Sequence, residues 1–261
     1  MSHLPNNSER FISIDIMIGT TRKCNLACSH CLRGDSEKID FNIQTFIDLL
    51  LKNPELETHG INNLDFTGGE PFLNLDAITE VISICKHRKI AVNSFSITTN
   101  GTKWTPEVMD VLATLLNFVE LPENCTVRVS DSPFHRDELK KKNLSRMYNL
   151  ESILQHLYED FEYELGIHDL ELFSDRTIYL DNQDDIVLLD LGRATDLNVK
   201  KRHDYNYSYS TDDTLFLYLT EEGIVVPNVC DIDYDGVSKV GIVPLEFDIF
   251  QYHASQFPET V

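Results

Sequence analysis

Residues 20–32 read TTRKCNLACSHCL and set three cysteines, Cys24, Cys28 and Cys31, at the spacing C-x3-C-x2-C. Three thiols in one short loop cannot pair off completely as disulfides, and they are one short of the four ligands that close a structural zinc site or fully ligate an iron–sulfur cubane. One coordination position stays open. A [4Fe–4S] cluster held by three cysteines keeps one iron free for a small molecule, a design for reactivity rather than support. Spacing alone also leaves an incomplete zinc site, or three unconnected buried thiols.

Outward from this loop the chain alternates strand and helix signals. Residues 11–19, FISIDIMIG, carry apolar side chains at every second position and deliver the chain into the loop. Residues 40–52 place Phe41, Ile43, Phe46, Ile47, Leu50 and Leu51 at helical spacing, with Asp40 or Asn42 as cap. Residues 61–66 form a second strand that ends in Thr67-Gly68-Gly69-Glu70-Pro71-Phe72, where two glycines admit a ligand close to the backbone beside a carboxylate able to take an ammonium group. Residues 75–87 are an amphipathic helix with Cys85 on its inner face. Residues 91–97 are a third strand leading to Thr98-Thr99-Asn100-Gly101, and residues 105–118 a third helix with Pro106 early in it. Residues 125–129 are the fourth strand, opened by Cys125 and ending in Ser130-Asp131-Ser132-Pro133-Phe134-His135-Arg136. Helical character follows over residues 138–159.

Taken together, CNLACSHC and the downstream Gly-Gly-Glu resemble the radical S-adenosylmethionine (SAM) superfamily, most closely the core barrel of its SPASM, peptide- and protein-modifying branch. The resemblance implies that Cys24, Cys28 and Cys31 bind a [4Fe–4S] cluster, and that Gly68, Gly69 and Glu70 contact the amino group of SAM. It also implies cofactor roles for Thr98 and Asn100, for Ser130 at the ribose or methionine carboxylate, and for Arg193 in the Gly192-Arg193-Ala194 segment. Asp131 and His135, just past a strand, are candidates for holding substrate or moving a proton. The fold implied is α/β, a partial (β/α)6 TIM-like barrel over residues 1–200, with its reactive groups at the C-terminal ends of the strands.

The fifth strand is expected at residues 161–165 or 177–180, and the sixth at residues 185–191. Residues 203–213, with Tyr205, Tyr207 and Tyr209 at period two, read as a linker or a substrate-facing loop. Residues 201–261 are expected as an extension packed on the barrel rather than an independent domain: a hairpin of residues 215–220 and 224–229 turning at 221–223, then a helix over 244–257. Cys230 belongs to no complete site, because no cysteine follows it and an auxiliary cluster cannot be completed.

The 261 residues suffice for one sizeable core. Asp and Glu outnumber Lys and Arg by 43 to 22, a net charge of −21, which argues against nucleic acid and favours a neutral or basic partner. No apolar run approaches the roughly 20 residues of a membrane helix, and residues 1–10 lack the order of a secretory signal. The expectation is a cytoplasmic oxidoreductase without membrane or nucleic-acid partners, served by a reductant protein such as flavodoxin or ferredoxin. The reaction implied is reductive cleavage of SAM to a 5′-deoxyadenosyl radical, which abstracts hydrogen from a peptide or small natural product. Alternatives are a glycyl-radical-enzyme activase, an enzyme forming a purine-like or deazapurine product, and a non-catalytic iron–sulfur sensor.

Overall fold

The computed structural model describes residues 13–31, 33–130, 132–145, 172–174, 188–189, 201–202, 213–223, 225–226 and 248–249. Strand β1 (Ser13–Gly19) buries Ile14, Ile16 and Ile18 on one face and leaves Asp15 and Met17 half-buried on the other, as period-two alternation requires. Strands β2 (Ile61–Thr67), β3 (Val92–Thr99) and β4 (Thr126–Val129) follow, each parallel to its predecessor. Helices α1 (Ile43–Lys52), α3 (Leu75–Arg88) and α4 (Pro106–Leu116) form the crossovers that parallel pairing demands. A single turn, α2 (Leu56–His59), lies between α1 and β2.

Local chemistry sets the helix starts. Asn42 caps α1 by accepting from the Gln44 N–H, and Thr105 caps α4 ahead of Pro106 in the first turn. Phe46, Leu49 and Leu50 of α1, Ile78, Val81, Ile82 and Cys85 of α3, and Val108, Leu112, Leu115 and Leu116 of α4 share one apolar cluster with Ile16, Phe66, Phe95 and Ile97. Cys85 and Cys125 both belong to this core. Burial pushes each of their thiols up to about 12, so both remain neutral.

Beyond β4 the structure departs from the sequence expectation. A strand at Leu172–Ser174, β5, pairs parallel with β4, while the expected segments 161–165 and 177–180 lie outside the described residues. Of residues 185–191 only Leu188–Leu189 are described; they form β6, which pairs with β7 (Lys201–Arg202) in a separate two-stranded sheet. The sixth parallel place belongs to β8 (Thr214–Leu219), bonded in register to β1, with β9 (Val225–Val226) antiparallel outside it. The order is therefore β5-β4-β3-β2-β1-β8-β9. The physical reason is burial: Leu215, Leu217 and Leu219 are each 0% exposed and close the open edge of β1 with a strand as apolar as its own core face.

Helix α5 (Pro133–Lys141) begins five residues before the expected segment. Ser132 caps it and Pro133 occupies its first turn, a start signal stronger than the apolar spacing further on. Of the expected helix at 244–257, residues 248–249 are described; Ile249 is buried and donates its N–H to Asn53 Oδ1 at 2.8 Å. Six parallel strands with helices gathered on one face make an α/β arrangement consistent with a partial barrel. No helix among the described residues is long and apolar enough to cross a membrane.

Candidate cofactor site at the strand ends

The cysteine loop leaves β1 and returns toward α1 as a closed excursion. Thr20 donates its N–H to the Thr67 carbonyl at 2.8 Å, Arg22 to Ile39 at 2.8 Å and Phe41 to Thr20 at 2.9 Å. An isolated bridge joins Thr21 to Asp40. The Thr21 hydroxyl donates to Asp40 Oδ1 at 2.7 Å, and Lys23 pairs with the same carboxylate.

The Gly-Gly-Glu turn at the end of β2 lies directly under this loop. Gly69 donates to the Thr21 carbonyl at 2.6 Å and Glu70 to the Lys23 carbonyl at 2.8 Å. A Cβ on Gly69 would stand 2.3 Å from the Lys23 carbonyl oxygen, and one on Gly68, whose φ is +145°, 2.5 Å from that of Thr21. Both obstacles are backbone, so the turn tolerates only glycine here.

Glu70 is fully buried. Its Oε1 accepts from the Thr99 hydroxyl at 2.7 Å and the Phe72 N–H at 3.2 Å, and its Oε2 from the Asn100 N–H at 2.8 Å. The carboxylate thus ties the end of β2 to the end of β3. Burial nevertheless raises its pKa from the ordinary 4.5 to about 7. A folded-state value above the unfolded one means the native chain binds the extra proton, so this contribution to stability is complete below about 4.5 and is lost as pH rises through about 7. The urea midpoint of the cluster-free chain should fall between pH 5 and pH 8, and Glu70→Gln should shrink that fall; an unchanged pH slope in the variant would refute it.

Asn100 connects this turn to sulfur. Its Nδ2 lies 3.8 Å from Cys24 Sγ and donates to Asn25 Oδ1 at 2.9 Å, while the Leu26 N–H approaches the same sulfur at 3.4 Å. Asn25 in turn donates to the Thr102 hydroxyl at 2.7 Å. Burial pushes the Cys24 thiol up to about 11. Cys24, Cys28 and Cys31 are all free thiols.

From the other side α5 covers the loop. Leu139 forms a small apolar cluster with Leu26 and Cys28, against which Cys24 packs. Glu138 accepts from the Ala27 N–H at 3.2 Å, and Lys142 donates to the Asn25 carbonyl at 2.8 Å. His135, in the first turn of α5, has Nδ1 2.7 Å from the Ser132 hydroxyl and its ring edge-on to His30, centroids 4.8 Å apart. Ligand atoms of Cys28, His30 and His135 all lie within 4.8 Å of one another.

A third support was not legible in the sequence. Arg33, two residues past Cys31, donates to Glu221 Oε1 at 2.8 Å and to the Tyr218 hydroxyl, with its guanidinium 5.2 Å from the Tyr218 ring centre. Arg22 pairs with Glu222 at 3.1 Å and Glu37 at 3.0 Å. The turn after β8 thereby grips both ends of the cysteine loop.

The structure thus gathers Cys24, Cys28, Cys31, Gly68, Gly69, Glu70, Asn100 and His135 around one loop. Ser130 is buried at the end of β4 and donates its N–H to the Thr99 carbonyl at 2.8 Å. Thr98 is half-buried, and the hydroxyl on Glu70 comes from its neighbour Thr99, which no sequence signal singles out. Asp131, Arg193 and Cys230 lie outside the described residues. Three free thiols on one loop, one of them approached by amide donors, are a donor set that fits an iron–sulfur cluster with one position open.

Residues 18–122 match the model of the Radical SAM superfamily. A GTP 3′,8-cyclase of Clostridium perfringens is 27% identical over 158 residues, covering 56% of this chain and 42% of that protein. An uncharacterized protein of Methanocaldococcus jannaschii is 24% identical over 149 residues, covering 52% and 49%. The chain spans less than half the length of these curated relatives. Among solved structures, BtrN in complex with AdoMet and 2-DOIA aligns with a TM-score of 0.49 at 15% identity, covering 94% of this chain and 81% of that one. Streptococcus suis SuiB bound to precursor peptide SuiA aligns at 0.43 and 13%, covering 93% and 64%. The cysteine loop and the Gly-Gly-Glu turn both lie inside the stretch matched by the family model, so residues 18–122 are a radical SAM segment, of the superfamily whose cofactors are a [4Fe–4S] cluster and SAM.

Proposed function

We propose that the chain is a radical SAM enzyme acting on a peptide or other small natural product. The observation that carries this is the clamping of one three-cysteine loop between the Gly-Gly-Glu turn and α5, with the Asn100 amide at Cys24. Cys24, Cys28 and Cys31 hold the cluster. Gly68, Gly69 and Glu70 serve the SAM amino group, with Thr98, Asn100, Ser130 and Arg193 at the rest of the cofactor. When bound, the two cofactors supply reductive cleavage of the sulfonium to a 5′-deoxyadenosyl radical and thereby hydrogen abstraction. The chain positions and shields that chemistry, and in this reading Asp131 and His135 hold substrate or move a proton.

In this reading the sheet is a partial (β/α)6 barrel, and residues 201–261 are an extension of it rather than a second domain. The in-register pairing of β8 with β1 supports a single domain, with residues 214–219 supplying a strand of the sheet itself. The enzyme works in the cytoplasm with a flavodoxin- or ferredoxin-type reductant. A nucleoside triphosphate, as the name of the GTP 3′,8-cyclases suggests for those relatives, suits this chain less well, given its charge of −21.

Anaerobic reconstitution with iron and sulfide, followed by SAM and dithionite, should yield 5′-deoxyadenosine detectable by chromatography. A complete four-iron cluster that binds SAM yet releases none, with or without candidate peptides, would leave the sensor reading in place.

A further inference from the structure

In a packed α/β barrel the inner face of the sheet is filled by branched aliphatic side chains. The face opposite the helices here is polar above an apolar base of Ile61 and Val92. The pairing register sets Asp15, Asn63 and Ser94 with Phe216 on one level, Met17, Asp65, Ser96, Thr126 and Tyr218 on the next, and Thr98 with Arg128 nearest the strand ends. Asn63 donates to the Ser96 hydroxyl at 3.0 Å and accepts from that of Ser94 at 3.1 Å, so these side chains meet one another across the strands.

Asp65 stands out on this face. It is 8% exposed; the Ser96 hydroxyl bonds its carboxyl, yet among the described residues its Oδ1 has no hydrogen-bond partner. A buried carboxylate oxygen without a donor is costly and is not retained for stability's sake. The charged groups around it are Asp15, Arg128 and Arg33, and Arg33 is already committed to Glu221 and Tyr218. Arg128 is exposed, one level nearer the strand ends. Burial holds the Asp65 carboxyl up at about 6, so it is chiefly ionised at neutral pH and offers a negative charge to whatever enters.

We infer that Asp65 receives a protonated amine of the substrate at its unpartnered oxygen, with the hydroxyls of Ser94 and Ser96 and the Asn63 amide beside it for the neighbouring polar groups. Three donors on an ammonium match one charged and several neutral acceptors on this face. The chain's acidity favours approach of such a cation. The inference deepens the proposed function by naming a substrate class, and it rests on that function for the fate of the bound molecule.

The test is binding of paired probes to the reconstituted full chain with SAM, by anaerobic calorimetry. Nα-acetyl-lysinamide is set against Nα-acetyl-norleucinamide for a peptide source of the amine, and glucosamine against glucose for a small-molecule source. The amine member of at least one pair should bind at least tenfold tighter than its amine-free counterpart. Asp65→Asn should abolish that preference while leaving SAM affinity within twofold. The variant should also melt no lower than the wild type, because it removes an unsatisfied charge. Equal binding within both pairs, no measurable binding of either amine, a preference that survives Asp65→Asn, or a variant that melts lower or fails to fold would each overturn the inference and return Asp65 to the scaffold. Amine binding without 5′-deoxyadenosine would defeat the proposed function alone; 5′-deoxyadenosine without amine preference would defeat this inference alone.

Discussion

Replacing Cys24, Cys28 or Cys31 by alanine should leave a folded chain that retains no [4Fe–4S] cluster and forms no 5′-deoxyadenosine. The loop does not depend on its sulfurs for shape: Thr20, Arg22, Gly69, Glu70 and Phe41 hold it by backbone bonds, and Ala27 is held by Glu138. Each substitution therefore removes a ligand rather than a fold. With only three ligands available, losing one leaves two cysteines for four irons, and no other cysteine lies on the loop to take its place. Iron and acid-labile sulfide after anaerobic reconstitution should drop to background in all three variants, with the far-ultraviolet dichroism unchanged. Full iron retention in any one of them would remove that cysteine from the ligand set.

Arg33→Met should cost about 3–5 kcal/mol of stability, the range for stripping one partner from a buried ion pair. The Arg33 and Glu221 side chains are 10% and 0% exposed, so the orphaned carboxylate would have no access to water. An exposed pair makes the contrast: Arg88 and Glu57, 3.0 Å apart with side chains 24% and 41% exposed, should yield only about 0–1 kcal/mol when broken. The double substitution Arg33→Met with Glu221→Leu should recover much of the loss, since the expense lies in the uncompensated charge. Urea titrations of the three chains decide it, and a single variant within 1 kcal/mol of wild type would sink the claim.

The sheet from β1 to β4 with α1, α3 and α4 was legible because apolar period and caps coincide there: Ile14, Ile16 and Ile18 at period two, Asn42 and Thr105 ahead of helical stripes. The cysteine loop and the glycine turn were legible because their residue types admit few other uses. The partnership of Arg33 with Glu221 was not, since 188 positions separate them and nothing local marks either. Nor was the place of β8, whose apolar run fits a hairpin as well as a parallel neighbour of β1; only the open edge of β1 decides between them. Thr98 and Thr99 differ by one step of the pleat, which reverses the face each presents. The second of them found Glu70.

The adjacency of β1 and β8 also bears on biosynthesis. At ribosomal speeds, roughly ten to forty seconds pass between the emergence of the first strand and that of its neighbour. Through that interval the edge of β1 is bare, and Arg22 and Arg33 have no Glu222 or Glu221 to grip. The nascent loop already has its bonds to the Gly-Gly-Glu turn and to Glu138, but lacks the ion pairs that fix its two ends. These last anchors close only after translation has passed the turn at Gly223, when a late strand of the sheet locks the first.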